Sequence, residues 1–111
     1  MGRLTAGELK NSILIQKRYR TPNGMGGYSE SWSTLCTVWG RYRQLSGKEL
    51  LLQQQVNPLI SVELTVRYRD DIDTDKRFTY KNQLHNILSV IDVDNKREWL
   101  KLMCEVKHSD Q

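Results

Sequence analysis

Residues 60 to 72 read Ile-Ser-Val-Glu-Leu-Thr-Val-Arg-Tyr-Arg-Asp-Asp-Ile. Ile60, Val62, Leu64, Val66 and Tyr68 alternate with Ser61, Glu63, Thr65, Arg67 and Arg69. A helix would scatter these side chains around its circumference, whereas a strand sends successive side chains to opposite faces. The alternation therefore predicts a strand with one buried face and one wet face, the pattern of an antiparallel sheet. The run ends in Arg67-Tyr68-Arg69, and the same triplet stands at Arg18-Tyr19-Arg20 and Arg41-Tyr42-Arg43.

The rest of the chain supplies partners for that strand. Ser12-Ile13-Leu14-Ile15-Gln16 reads as a first strand within residues 9 to 19, and Thr21 to Gly27 reads as a turn, with a proline to fix φ and three glycines to permit positive φ. A second strand is expected from Ser31-Trp32 through Cys36, Val38 and Tyr42, with a bulge near Gly40. Arg77 to Tyr80 and Leu84 to Val90 flank the turn Lys81-Asn82-Gln83. After the polar turn Asp92 to Lys96, Leu100, Leu102, Cys104 and Val106 alternate with Lys101, Met103, Glu105 and Lys107. Residues 1 to 7 and 107 to 111 carry no core signal and are expected to be loose ends of one domain spanning 1 to 111.

One helix is expected. Ser46-Gly47-Lys48-Glu49 fits a capping box, Leu50-Leu51-Leu52 and Gln53-Gln54-Gln55 continue it, and Asn57-Pro58 stops it. The leucines are adjacent, so part of their apolar surface must be exposed or meet a partner. Short strands at close spacing with one inserted helix point to a small barrel or a sandwich.

Composition excludes several function classes. No stretch approaches the roughly 20 apolar residues that span a bilayer, and the N-terminal residues lack the apolar run of a signal peptide, so a cytosolic site of synthesis and no membrane partner are expected. In that reducing setting Cys36 and Cys104 read as small core residues. The net charge of +4 favours polyanions or acidic protein surfaces without choosing between them.

Candidate chemistry is sparse. Asp71-Ile72-Asp73-Thr74-Asp75 opens like a calcium-binding loop, but Lys76 and Asn82 stand where that loop needs glycine and glutamate. The Gly24 to Gly27 cluster lacks the Gly-Lys-Ser/Thr of a phosphate loop. His85 and His108 have neither metal-ligand spacing nor a nucleophile nearby. The sequence thus predicts no enzyme activity, metal or cofactor. The triplets suggest a basic barrel binding single-stranded nucleic acid, but such binders expose aromatics beside their cations. Tyr68 instead continues the apolar face of Ile60 to Val66, leaving Arg67 and Arg69 together on the other side.

In order and spacing the chain resembles the head–tail joining proteins of long-tailed bacteriophages, the small head-closure or stopper proteins. The likeness runs from about residue 8 to 106. It is carried by Gly24-Met25-Gly26-Gly27 with Trp32, Val38-Trp39-Gly40, and Ser46-Gly47-Lys48-Glu49 before the glutamine run. It continues through Val66-Arg67-Tyr68-Arg69, Arg77-Phe78-Thr79-Tyr80, Leu84-His85-Asn86-Ile87, Val90-Ile91-Asp92, and Arg97 with Leu100 to Glu105.

The resemblance implies a mainly β fold, a small antiparallel barrel of about six strands with one short helix in a long connection. It implies a virion protein of the neck, assembled in the host cytoplasm. That protein would form a twelvefold ring with itself, portal or adaptor above, tail or tail-completion protein below, and double-stranded DNA passing without sequence readout. It would have no cofactor. A tail-terminating ring protein of the same virion is the neighbouring alternative. On this reading Lys48, Gln53, Gln54, Gln55, Asp70, Asp71, Asp73 and Asp75 are candidate assembly or channel-facing residues. Arg41, Arg43, Arg67 and Arg69 are a candidate basic face between subunits.

Overall fold

A computed structural model describes residues 6–107. Six strands close into an antiparallel barrel: β1 (Asn11–Pro22), β2 (Tyr28–Gln44), β3 (Val62–Arg67), β4 (Arg77–Tyr80), β5 (Gln83–Asp92) and β6 (Trp99–Lys107). Their order around the barrel is β1-β2-β3-β6-β5-β4. One helix, α1 (Gly47–Val56), lies in the connection from β2 to β3.

The alternation that marks β3 fills the barrel. Val62, Leu64 and Val66 meet Ile13, Ile15, Ile72, Phe78, Ile87, Leu100, Leu102 and Cys104 in one buried cluster. Ile60 departs from this set. It lies before the strand and packs with Leu45 and Met103, against which Leu50 and Leu88 rest. This second cluster seats α1, so Met103, on the face expected to be wet, is only 2% exposed. The outward face of β3 is also covered, and Glu63 and Thr65 are buried. The strand itself stops at Arg67, although Tyr68 N still donates to Glu98 O. Arg69 then grips Asp71 through two hydrogen bonds of 2.9 and 2.8 Å, and the chain turns while Ile72 folds back into the core.

The bulge expected at Gly40 lies elsewhere. Gly40 pairs regularly with Asn11 and Val66, and the irregularity falls between Ile15 and Gln16, opposite Cys36 and Thr34. Glycine is needed at position 40 for space: an added Cβ would stand 2.9 Å from Leu64 Cδ1 and 3.1 Å from the Thr65 carbonyl oxygen. Lys81 and Asn82, with φ of 51° and 65°, form a two-residue turn between β4 and β5, the left-handed geometry that matches strand twist in tight hairpins.

The molecule is elongated, 54 × 27 × 26 Å. β1 meets β4 only from Leu14 to Gln16, and β2 meets β3 only from Gly40 to Gln44. Beyond those limits the two strands continue as a ribbon, paired from Lys17↔Ser33 to Pro22↔Tyr28. Asn23 closes its tip by accepting from the N–H groups of Met25 and Gly27.

Candidate assembly surfaces

Among the described residues, the buried histidine of the barrel interior belongs to one hydrogen-bonded network. His85 is fully buried and stacked on Phe78, with ring centroids 4.5 Å apart. Its Nδ1 donates to Gln83 O at 3.1 Å, which leaves Nε2 to accept from Tyr42 Oη at 2.6 Å. Burial holds the imidazole below its ordinary pKa. Tyr80 packs on Tyr42, and its Oη accepts from Asn11 Nδ2 at 2.7 Å. With each ring nitrogen partnered and the site closed to solvent, the network specifies the core.

The outer wall beneath α1 carries an arginine–carboxylate lattice. Arg43 Nη2 lies 2.7 Å from Glu49 and 2.9 Å from Glu63, while Arg41 lies 3.1 Å from Glu8 and 3.9 Å from Glu63. The hydrogen bonds to Glu49 and then Glu63 raise the Arg43 pKa, and the bond from Arg43 lowers that of Glu49. The Nε atoms of both arginines and Thr65 Oγ1 are buried without partners, so the lattice is incompletely satisfied. Glu49 therefore serves Arg43, and Ser46 stands at the helix start with no side-chain cap bond. The capping box expected at this helix does not form.

The sequence-selected residues fall into distinct places. Lys48 and Gln55 are exposed on α1, Gln53 is half-buried, and Gln54 Nε2 donates to Ile60 O at 3.2 Å, tying the helix to the start of β3. In the acidic loop Asp70 is exposed, Asp71 takes Arg69, Asp73 takes Lys76 at 3.0 Å, and Asp75 lies 3.6 Å from Arg18. Arg67 is exposed and its guanidinium lies 5.0 Å from the Trp99 ring. Arg41, Arg43 and Arg69 are thus occupied within the chain, and Arg67 rests on an aromatic face. His108 lies outside the described residues.

One surface feature was expected from the adjacent leucines of the helix, and two others escaped the sequence reading. Leu51 (65% exposed), Leu52, Val56 (82%) and Leu59 form an uncovered apolar stretch along α1 and the turn after it. A cleft of about 600 Å³ is lined by Leu9, Val38, Trp39, Arg67, Tyr68 and Arg69. The ribbon exposes Tyr19, Met25 and Tyr28. A signal for the ribbon existed, because residues 17 to 33 lack any sustained apolar alternation and so cannot face a core.

Comparison with known proteins assigns this architecture. Residues 4–107 match the family model of the phage head completion protein. The chain belongs to that family. Membership gives it a structural role in head completion, within the phage particle and among other virion proteins. The solution structure of protein SF1141 from Shigella flexneri 2a is similar in fold at 23% identity, with TM-score 0.78 over 96% of this chain and 100% of that one. A chain in the virion of a native gene transfer agent particle shares the fold at 17% identity, with TM-score 0.61 over 91% of this chain and 97% of that one. No curated protein matches the chain.

Proposed function

We propose that the chain forms a cyclic ring beneath the portal or its adaptor, closes the DNA-filled head, and presents the surface on which the tail docks. The observation that carries this reading is the α1 connection. Leu51, Leu52 and Val56 are uncovered on a helix none of whose residues is fully buried, and Leu59 is uncovered in the turn after it, in a chain belonging to the head-completion family. Such an apolar stretch is a surface for another protein, and a ring buries it repeatedly around its circumference. Lys48, Gln53 and Gln55 flank it and belong to the surface turned toward the channel or the adjoining ring. Gln54 anchors the helix. The acidic loop, with Asp70, Asp73 and Asp75 toward solvent, complements basic patches on a neighbour. Arg67 is the cation of the basic set left to meet a neighbouring subunit.

Deleting residues 48 to 55 tests the proposal. The main barrel cluster contains no residue of α1, so the deleted protein is expected to remain folded by circular dichroism, losing the cover that Leu50 gives Leu45, Ile60 and Met103. It should fail to retain packaged DNA or to support tail attachment, and normal phage yield from the deletion would refute the reading. Single-stranded nucleic-acid binding is the competing reading, favoured by Tyr19 and Tyr28 exposed near Arg18 and Arg20. Glu30 lies 3.8 and 3.5 Å from those arginines and offsets part of their charge. Affinity for oligonucleotide that falls steeply with salt would favour that competitor.

A further inference from the structure

The ribbon leaves two backbone edges open, and they run in opposite directions. Past Gln16, β1 pairs only with β2, so residues Lys17 to Pro22 have one edge without a ladder. Ahead of Gly40, β2 pairs only with β1 among the described residues, which opens the opposite edge from Tyr28 to Ser33. A two-stranded ribbon standing alone in water is marginally stable, and an open edge is a template for another strand.

The edges differ in charge. Lys17, Arg18 and Arg20 lie on the β1 side with no acidic residue in the strand between Lys17 and Pro22. Among the described residues, only Arg18 of these meets a carboxylate from beyond the ribbon, Asp75 of the loop before β4 at 3.6 Å. Glu30 lies on the β2 side with no basic residue between Tyr28 and Trp39. Two β1 edges would bring like charges together, whereas a β1 edge against a β2 edge sets cations beside a carboxylate. Direction selects the same arrangement. β1 runs out to the tip and β2 returns, so copies related by rotation about an axis along their ribbons place each outgoing β1 beside a returning β2. That contact is antiparallel and head-to-tail, and repeats until a ring closes.

We infer that ribbons of neighbouring copies of this chain join edge to edge, β1 of one against β2 of the next, forming one continuous antiparallel sheet. The inference deepens the ring reading above and rests on it. Each copy adds two strands, about 10 Å of circumference. Glu30, which reaches Arg18 and Arg20 of its own strand pair, then lies between two basic strands. The ribbon that is marginal alone gains a ladder on both sides.

Variants with one introduced cysteine in a Cys36→Ser background, where the remaining Cys104 is buried in the core, test this. Tyr19→Cys marks β1, and Ser29→Cys, Ser31→Cys or Ser33→Cys marks β2. All four positions share one ribbon face, since Tyr19 pairs with Ser31. Tyr19 is 47% exposed and outside the core, so its replacement leaves the barrel intact. Equal mixtures of the β1 variant with each β2 variant are assembled into particles, oxidised and resolved without reductant. One mixture, the one in register, is expected to give a disulfide-linked dimer at least tenfold above Tyr19→Cys alone. The inference is overturned if no mixture links, as when another virion protein or DNA occupies the edge, or if Tyr19→Cys links equally well by itself. An amine-reactive cross-linker on the same particles separates the two readings. A ladder of multimers without the disulfide leaves the ring standing and removes the ribbon contact, whereas loss of both removes the ring as well.

Discussion

Gly40→Ala measures how tightly β2 lies on β3. The residue does not adopt positive φ, so alanine meets no conformational barrier, and the outcome turns on space alone. The new methyl would lie 2.9 Å from Leu64 Cδ1, 3.1 Å from Val66 Cγ1 and 3.1 Å from the Thr65 carbonyl oxygen. Carbon atoms pack best at about 3.5–4.0 Å. Leu64 and Val66 are fully buried in the barrel, so their methyl groups have nowhere to withdraw, and the carbonyl belongs to the backbone of β3.

Overpacking of this kind costs about 1–3 kcal/mol. The smaller conformational freedom of alanine in the unfolded chain offsets about 0.4–1 kcal/mol of that. At the middle of both ranges the net loss is about 1.3 kcal/mol, which lowers the midpoint of thermal unfolding by roughly 5 °C in a domain of this size. Circular dichroism melts, with urea titrations to check that the m-value is unchanged, provide the measurement. Leu64→Val removes the nearest methyl, so the double variant should lose less than the sum of the two singles by at least about 0.5 kcal/mol. An unchanged or raised midpoint for Gly40→Ala would show that the two strands separate freely, and the argument from close approach would fail.

Three other outcomes follow from the same contacts. Tyr42→Phe leaves the buried Nε2 of His85 without its donor and should cost about 1–3 kcal/mol in urea unfolding. Because burial depresses the His85 pKa, the unfolded chain binds protons more readily than the fold. The contribution of this group is therefore fully present above the ordinary imidazole pKa of about 6.5 and declines as pH falls below it. A pH series of melts should show that slope in the native chain and lose it in His85→Gln. Glu63→Gln should lower the melting midpoint by several degrees, because two arginines share that buried carboxylate, whereas Glu49→Gln, in a pair at the solvent surface, should change it little. Leu51→Ser with Val56→Ser should leave the melt unchanged yet block incorporation into particles, read by gel analysis of purified virions.

Elements whose environment is local were legible in the sequence. The alternation in β3 and β6, the turn at Lys81-Asn82 and the helix ending before Pro58 each follow from nearby residues, and each is present. What depended on distant partners was hidden. Glu63 and Thr65 read as solvent-facing because strand periodicity carries no information about what lies over the outer face. Ile60 continued the apolar series but fell into the cluster under α1, since that face is set by how the connection packs. Glu49 matched a cap, yet an arginine from β2 reached it first. The candidate basic residues were located, but their carboxylate partners, Glu8 and Glu63 among them, come from other segments. The ribbon was legible only as the loss of apolar alternation after Gln16, and how far it projects depends on where β4 begins, at Arg77.

That short β4 contact also sets how the molecule is made. The barrel closes through three residue pairs, Leu14↔Thr79, Ile15↔Phe78 and Gln16↔Arg77, joining segments more than sixty residues apart. The β1–β2 hairpin is local and can form early, but this seam must wait for most of the chain and offers few backbone bonds when it forms. Until then β1 and β4 present open edges lined with Ile13, Ile15 and Phe78, which makes the half-closed sheet the state most exposed to misassembly in a crowded host cell.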